Sequence, residues 1–257
     1  MYILCKYTLI VLLCLTVALL FNLPVQHVLA YVQLPPSMQL AEVDGTVLKG
    51  KVSELRISDF PLRGIRYRYM PSCIPMLKIC YHVVYNRGEF RVAYDLLNGD
   101  SEVSRSEIEY PVADLLRLLP VEAPANPTGR VQLRIDDLSM QADKLVAING
   151  RLIWNDLGLN DTGIKIHVGD YQVDFRGDPQ SYDFTFSDLN AALDVSGDGQ
   201  ISADGLYQVD VAIENDTGIG PDVKNVLNLV ASRAGVNKYR IKQKGRLSND
   251  VKRQLFR

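Results

Sequence analysis

The chain has 257 residues, and its 28 Lys and Arg against 30 Asp and Glu give a formal net charge of −2 at pH 7. This slightly acidic balance gives no reason to expect nucleic acid as a partner, because protein surfaces that bind nucleic acid are basic. Hydrophobic residues make up 47% of the chain, which is enough for the cores of one large domain or two small ones.

The first thirty residues are dominated by an apolar stretch. Residues 8–21 carry no charge, and Lys6 is the only Lys, Arg, Asp or Glu before Glu42. Since a helix of about 20 apolar residues crosses a bilayer, residues 1–30 are predicted to form a cytoplasmic stub and a membrane anchor helix. The positive N-terminus and Lys6 would stay in the cytoplasm, so the rest of the chain is exported.

A cleaved signal peptide is the alternative interpretation of these residues. Val28-Leu29-Ala30 resembles a cleavage site after a positively charged start and an apolar region. The gap from Phe21 to Ala30 is long for a signal peptide, however, and it contains Pro24. We therefore expect an uncleaved anchor, with cleavage after Ala30 as the other option.

The next residues indicate a linker and then a domain rich in strands. Leu34-Pro35-Pro36 predicts an extended linker over residues 31–41, followed by an exported β-domain over residues 42–257. At Val43–Val52, a turn followed by alternating apolar and polar residues predicts the first strand. Two further strands are expected at Cys80–Tyr85 and Glu89–Asp95, with Asn86-Arg87-Gly88 as their hairpin turn.

Cys73 and Cys80 are the two cysteines of the exported part. They could close a small disulfide loop, which would suit an oxidising compartment, and two free buried thiols are the alternative. The three histidines are scattered and no CxxC motif is present, so the sequence indicates no metal or other cofactor.

Two short helices interrupt the strand pattern. One is predicted from Pro111 to Pro120, where the apolar residues share one face, and the other from Pro221 to Ala234, with Gly235 as its stop. Three prolines in residues 120–127 suggest a subdivision of the domain near residues 120–128. An edge crossover within one domain would have the same composition.

The second half of the chain returns to strand patterns. Strands are predicted at Gly129–Asp136, Leu145–Trp154, Ile164–Val168, Tyr171–Phe175, Tyr182–Phe186, Leu193–Val195, Gln200–Ala203, Leu206–Ile213 and Lys238–Leu247. The resulting fold class is mainly β: an N-terminal transmembrane helix, then a large curved antiparallel sheet, as an open half-barrel or a sandwich, with two or three short helices.

Residues 194–200 match the start of an EF-hand calcium loop. Asp194, Ser196 and Asp198 fall at its positions 1, 3 and 5, and Gly199 at position 6. Position 12 needs a bidentate carboxylate but is Gly205, and the residues after it alternate as in a strand. A Gly-Asp-Gly hairpin turn is the preferred interpretation, and a weak calcium site is the alternative.

Two further features have both a structural and a binding interpretation. Trp154, the only tryptophan, is interpreted as an aromatic residue of the sheet, with a partner contact as the alternative. Cations alternate along the last predicted strand, where they would form a solvated face that discourages edge pairing or a docking strip for an acidic partner or lipid headgroups. These cations are Lys238, Arg240, Lys242, Lys244 and Arg246.

The order of several loose motifs resembles the N protein family of type II (general) secretion pathways. The motifs follow an N-terminal anchor and a proline linker: V-x-G-T-V-x-x-G from Val43, P-V-A-x-L-L-x-L-L-P from Pro111, G-x-V-x-L-x-I from Gly129, G-x-L-x-W from Gly150, Gly169-Asp170-Tyr171 and Gly245-Arg246-Leu247. The resemblance implies a single-pass inner-membrane protein whose periplasmic body is an accessory part of the exporter for folded proteins. It implies other secretion-system proteins as partners and no catalytic residue.

No common catalytic motif is present, so an enzyme is not expected. The expected function is that of a tethered β-domain that contacts other parts of a secretion machine or its cargo. The alternative is a lipid- or hydrophobe-binding groove, because a curved sheet with few helices can leave an apolar face open. Its candidate lining residues are Ile148, Leu152, Val168, Val173, Phe175, Phe184, Phe186, Val209 and Val211.

Overall fold

The structure is a computed structural model that describes residues 7, 19, 22–31, 38–57, 60–116, 126–141, 144–161, 164–215 and 221–248. The predicted anchor over residues 1–30 lies largely outside these ranges. Where the chain is described, no helix is both long enough and apolar enough to cross a bilayer.

The described residues form fourteen strands and a few short helices. The strands are β1 (Met38–Gly45), β2 (Lys49–Ile57), β3 (Phe60–Tyr69), β4 (Lys78–Tyr85), β5 (Gly88–Asp95), β6 (Ser101–Pro111), β7 (Asn126–Gln141), β8 (Lys144–Asp161), β9 (Ile164–Gly177), β10 (Ser181–Ala191), β11 (Asp194–Ser202), β12 (Leu206–Glu214), β13 (Ser232–Gly235) and β14 (Lys238–Arg246). The helices are α1 (Val25–Leu29), α2 (Val112–Leu116), α3 (Pro221–Val230) and a 3₁₀ helix (Pro71–Met76). The predicted mainly β class with few short helices is confirmed.

The chain divides into two compact units, Met1–Ala93 and Tyr94–Arg257, and the division falls within β5. In the first unit the strands follow one another in chain order from β1 to β5. The pairs β1–β2, β2–β3 and β3–β4 are antiparallel. Val52 lies opposite Ile65, and both side chains are buried. The subdivision predicted near residues 120–128 falls mostly on residues outside the described ranges and stays a prediction.

The second unit is a longer antiparallel sheet. Its strands also follow chain order from β6 to β12, but β14 lies next to β12, and the four-residue strand β13 forms the edge beyond it. Every strand pair from β6 to β12, and the pairs β12–β14 and β13–β14, are antiparallel. Hairpin connections produce this arrangement, because neighbouring strands can be joined by a short turn only if they run in opposite directions.

Apolar side chains cross the second unit in rows, because directly opposed residues share a face of the sheet. One row runs Ile108, Leu133, Leu152, Val173, Phe186, Gly197, Val211 and Ile241 across eight strands. Aromatic rings lie over directly opposed glycines on this face, as Phe175 does over Gly150 and Tyr182 over Gly177. The glycines make room for the rings, and the rings cover backbone that a glycine leaves bare.

Helix α3 packs on part of this apolar face. Leu227 joins Leu193, Val211, Ile213 and Tyr239 in one buried cluster, in which every side chain is at most 7% exposed. Leu227 is the one member of this cluster that comes from the helix, so it attaches α3 to β12, to β14 and to Leu193 in the turn before β11.

A line of irregularities crosses β7 to β10 and bends these strands. Gly129, Asp156 and Gly169 all have positive φ, at 110°, 54° and 115°. The register shifts near each of them, as it also does between Asp188 and Asn190. Bulges of this kind add local twist and kink the strand, so the bend is built into the sequence by glycine where the backbone needs it.

Two local predictions are wrong. The turn predicted at Gly197-Asp198-Gly199 is part of the uninterrupted strand β11, because Phe184 and Val211 lie opposite these glycines and the register stays regular. The helix predicted to reach Ala234 ends at Val230, and residues from Ser232 pair with β14 as strand β13 instead.

Candidate interaction surfaces

The residues of the suspected calcium loop lie in an extended strand. Asp194, Ser196 and Asp198 alternate along β11, so successive side chains on this face are about 6.7 Å apart. Calcium requires six to eight oxygens that converge at about 2.3–2.6 Å, and a straight strand spreads its oxygens along a line. Within the described ranges, no three His, Cys, Asp or Glu side chains come together in a way that could hold a metal ion.

Cys73 and Cys80 are joined by a disulfide with an S–S distance of 2.03 Å. The bond closes the loop between β3 and β4, which we call the disulfide loop (residues 71–80), and Cys80 is only 5% exposed. The outside of this loop is apolar: Ile74 is 55% exposed, Met76 63% and Leu77 50%. Exposed apolar groups clustered in this way are unusual on a soluble surface and indicate a binding role.

Tyrosines hold the disulfide loop against the turn between β1 and β2. The hydroxyl of Tyr67 donates to the carbonyl oxygen of Thr46 at 2.8 Å, and that of Tyr81 donates to the carbonyl oxygen of Val47 at 3.2 Å. The Tyr69 and Tyr81 rings pack edge to face. Burial raises the pKa of Tyr67 and of Tyr81 above the ordinary value, so both hydroxyls remain protonated donors at neutral pH.

Four cations lie on one face of the same sheet. Lys49 lies directly opposite Arg68, and Lys51 directly opposite Arg66. With Asp44, Tyr67 and His82 among their neighbours, they line a cavity of about 500 Å³. None of the four cations forms an ion pair within the described part of the chain. Like charges placed directly opposite each other destabilise a sheet, so this arrangement favours an anionic partner.

Sequence reasoning missed this cationic face, although the sequence contains a signal for it. Lys49 and Lys51 are two residues apart, and so are Arg66 and Arg68. In a strand, residues two apart share a face. The pairing of the two strands, which sets these two pairs side by side, could not be inferred from either segment alone.

The cationic strand β14 is largely neutralised by acidic residues of β12. Lys238 pairs with Glu214 at 2.6 Å, and Arg240 pairs with Asp210 at 2.6 Å. Lys242 lies 3.5 Å from the same Asp210 carboxylate. These contacts favour the interpretation of a solvated face over that of a docking strip.

The outer edge of β14 is only partly covered. Strand β13 pairs with Lys238–Arg240, and residues 241–246 have a strand on one side only, as far as the described residues show. An uncovered strand edge can accept a strand from another protein. The cations Lys244 and Arg246 lie along this edge.

Replacing Asp210 by Asn should lower the free energy of unfolding at neutral pH and have a smaller effect in acid. Hydrogen bonds from the Arg240 guanidinium, at 2.6 and 2.8 Å, hold the pKa of Asp210 below its ordinary value of 3.8. A depressed pKa contributes stability above the unfolded value, and this stability is lost as the pH falls through the folded value. Denaturant unfolding of both proteins between pH 7 and acid measures the difference.

A double-mutant cycle with Arg240→Gln provides the control for this prediction. In the Arg240→Gln background, Asp210→Asn should lose most of its pH-dependent effect, because the main donor to the carboxylate is gone. If the free energies of unfolding of wild type and Asp210→Asn differ by the same amount at every pH, Arg240 does not lower the pKa of Asp210.

The candidate groove residues lie in the strands of the second unit. Val211 is buried, and the remaining eight candidates are half-buried. Val168, Phe186, Val209 and Val211 belong to the cluster around helix α3 or pack against it. These four therefore contribute to an ordinary core.

Trp154 is part of the sheet in β8. It lies opposite Val131 on one side and Tyr171 on the other, and its Nε1 donates to the carbonyl oxygen of Thr128 at 3.1 Å. Burial raises the pKa of Tyr171 to about 12, and its hydroxyl is near the carbonyl oxygen of Leu193. Both aromatic residues thus have a structural role.

These features define a mainly β protein with a partly open strand edge in the second unit and, in the first unit, a cationic sheet face and an exposed apolar loop. A family sequence model described as "Type II secretion system (T2SS), protein N" matches residues 36–242. The match covers most of the chain, which therefore belongs to the T2SS protein N family. No curated protein and no solved structure shows significant similarity to the chain.

Proposed function

We propose that this chain is a non-enzymatic accessory component of a type II secretion system. Its β-domain would lie in the periplasm and contact other secretion proteins of the inner membrane and periplasm, or the cargo. The observation that carries this proposal is the family match, which covers residues 36–242 and thus nearly all of the described β-structure. Members of this family are components of secretion machinery.

The N-terminal apolar segment would attach this domain to the inner membrane in a single pass. Residues 8–21 are free of charge, and Lys6 precedes them, which are the features of an anchor with its N-terminus in the cytoplasm. Attachment would keep the β-domain at the membrane face of the secretion machine. It would also raise the domain's local concentration near partners held in the same membrane.

The partly uncovered edge of β14 offers a surface for protein contacts. Addition of a partner strand would satisfy the backbone groups of residues 241–246. Lys244 and Arg246 would favour a partner with acidic residues beside that strand.

Deletion of the gene tests the proposed role. We expect folded substrates of the secretion system to accumulate in the periplasm and secretion to return when the full chain is supplied. A chain whose residues 1–30 are replaced by a cleavable signal peptide should restore secretion less well, because the domain is no longer held at the membrane.

The outcomes separate the parts of the proposal. Normal secretion in the deletion strain would overturn the accessory role. Full restoration by the untethered domain would show that the anchor is dispensable. Extraction of the full chain from membranes by alkaline carbonate, or an N-terminus at Tyr31 in the mature protein, would contradict the anchor itself.

A photo-crosslinking residue at Lys244 would locate the contact. Cross-links to an identified secretion component, with none from the same residue at Asp183 inside the sheet, would support the edge of β14. Equal labelling from both positions would count against it.

A further inference from the structure

The chain enters the first unit at one end of its sheet. The amide of Val47 donates to the carbonyl oxygen of Leu23 at 3.1 Å, and Pro24 forms a bridge with Thr46. The side chain of Gln26 adds a hydrogen bond to the carbonyl oxygen of Val43 at 2.8 Å. The segment around helix α1 is therefore fastened to the turn between β1 and β2, and we call this end of the sheet the turn end.

The apolar stretch of the sequence, which ends where the polar residue Asn22 begins, stops just before that attachment. Its last residue is Phe21, two residues before Leu23. Asn22 alone separates Phe21 from Leu23, so the end of the apolar stretch and the fastened segment are adjacent in the sequence. A membrane segment that ends at Phe21 would thus place the turn end at the bilayer surface.

The disulfide loop lies at the same end. The amide of Tyr69, the last residue of β3, donates to the carbonyl oxygen of Leu48 at 2.7 Å. The hydroxyl of Tyr81, at the start of β4, reaches the carbonyl oxygen of Val47. The loop between these strands therefore begins and ends beside the turn to which the N-terminal segment is fastened.

This loop is held in shape without burying its own apolar side chains. The disulfide closes it, and Pro71 and Pro75 lie within its 3₁₀ helix. Ile74, Met76 and Leu77 stay at least half exposed. Because the loop is already ordered, burying these side chains in a partner would cost little additional conformational entropy.

The nearest strand positions supply positive charge. Lys49 is the first residue of β2, and Arg68, directly opposite, is one residue from the end of β3. Lys51 and Arg66 form the next opposed pair. An apolar tip with cations behind it matches the profile of a bilayer, in which acyl chains lie beneath a layer of phosphates.

We propose that the turn end docks on the surface of an anionic bilayer, with Ile74, Met76 and Leu77 inserted among the headgroups and Lys49 and Arg68 contacting lipid phosphates. The proposal rests on the membrane attachment in the proposed function. It goes further, because attachment alone leaves the orientation of the first unit undefined. Docking would fix the first unit against the membrane.

A bilayer explains the surface better than an acidic protein does. An acidic protein would explain the cations, but nothing on this face suggests its shape. The fastening of Leu23 and Pro24 to the turn places the same face beside the uncharged segment. The position of this face, its apolar tip and its cations thus all indicate a bilayer as the partner.

Tryptophan fluorescence of the full chain in lipid nanodiscs tests the proposal. The protein has a single native tryptophan, so Leu77→Trp adds one reporter at the tip of the loop. Nanodiscs containing phosphatidylglycerol with brominated acyl chains should quench the added fluorescence strongly. Arg87→Trp provides the matched control, because Arg87 is exposed in the turn between β4 and β5 at the opposite end of the same unit. Its added fluorescence should be quenched less.

Removal of the cations should weaken docking. In the Leu77→Trp protein, Lys49→Gln with Arg68→Gln should lower the ratio of docked to free protein about fivefold for each cation removed. Nanodiscs that contain phosphatidylcholine alone should lower the ratio of docked to free protein in a similar way. Arg56→Gln with Arg63→Gln removes the same charge from the opposite end of the same unit, where both cations pair with Glu54, and should leave the quenching unchanged.

Several results would overturn the proposal. They are equal quenching at positions 77 and 87, quenching that does not depend on Lys49 and Arg68, and protection of the loop by a secretion protein in place of lipid. Carbonate extraction of cell membranes that contain the same full chain reports on the anchor separately. A retained anchor with no loop quenching refutes docking alone, whereas a protein released by carbonate refutes the attachment on which docking rests.

Discussion

Leu227→Ala should lower the free energy of unfolding by about 2–5 kcal/mol, the usual cost of removing a buried leucine side chain. Leu227 is 6% exposed and is the contribution of helix α3 to the cluster with Leu193, Val211, Ile213 and Tyr239. Truncation to alanine would leave a cavity between the helix and the sheet. Since α3 is only ten residues long, it depends on this packing and not on its own helical propensity.

Urea unfolding of the full chain, followed by the fluorescence of Trp154 in the same unit, measures this effect. Asn228→Ala is the matched control, because Asn228 is the next residue of α3 and is exposed. It should change the free energy of unfolding by no more than about 0.5 kcal/mol. If Leu227→Ala and Asn228→Ala unfold at the same urea concentration, α3 does not pack as described.

The β-structure of the second unit could be predicted in outline from the sequence. Gly129–Asp136 and Leu206–Ile213 alternate apolar and polar residues, and both segments lie in strands of the sheet. This signal is local, because the side-chain period of a strand is two residues whatever its partner is. The hairpin turn at Asn86-Arg87-Gly88 was predictable because its residue types are also a local signal.

Strand β6 was missed because its alternation is broken. Val103 and Ile108 are apolar but an odd number of residues apart, and Arg105 between them has a φ of +51°. Residues an odd number apart lie on opposite faces of a regular strand, so the sequence shows no period of two here. The pairing with β7 defines the strand, and the paired residues range from Pro111 with Arg130 to Ser101 with Met140, far apart in the sequence.

The glycines of β11 misled the sequence interpretation for a different reason. Gly197 and Gly199 flank Asp198, as glycines do in many turns. In the structure an added Cβ at Gly197 would lie 2.7 Å from the Cα of Val211 in the neighbouring strand, so this position needs a glycine, whereas a Cβ at Gly199 would come no closer than 3.4 Å to any atom. A glycine that makes room for a partner and a glycine that forms a turn have the same sequence signature, and the partner strand decides between them.

The binding surfaces depend most on long-range pairing. The cationic face arises where β2 and β3 bring Lys49 opposite Arg68, and the turn end arises where Leu23 meets Val47. Neither contact has a local signature. The exposed apolar side chains of the disulfide loop also could not be distinguished from core residues by type alone.

Gly169→Ala should lower the free energy of unfolding by about 2–6 kcal/mol, because two costs of about 1–3 kcal/mol each combine. Gly169 has a φ of +115°, which L-residues rarely adopt, and an added Cβ would lie 2.4 Å from the Cα of Ala191. The contact is with backbone, so no side-chain rotation relieves it. The residue lies in the line of bulges that bends β7 to β10, and a shift there would disturb the pairing with both neighbouring strands.

Gly235→Ala separates these effects from the general cost of replacing a strand glycine. An added Cβ at Gly235 would come no closer than 3.5 Å to the flexible side chain of Lys238. Its unfolding free energy should stay within about 0.5 kcal/mol of the wild-type value, measured in the same urea titration. A Gly169→Ala protein as stable as the Gly235→Ala protein would mean that β9 and β10 pair without the close approach at Ala191. The bend at this position would then need another cause.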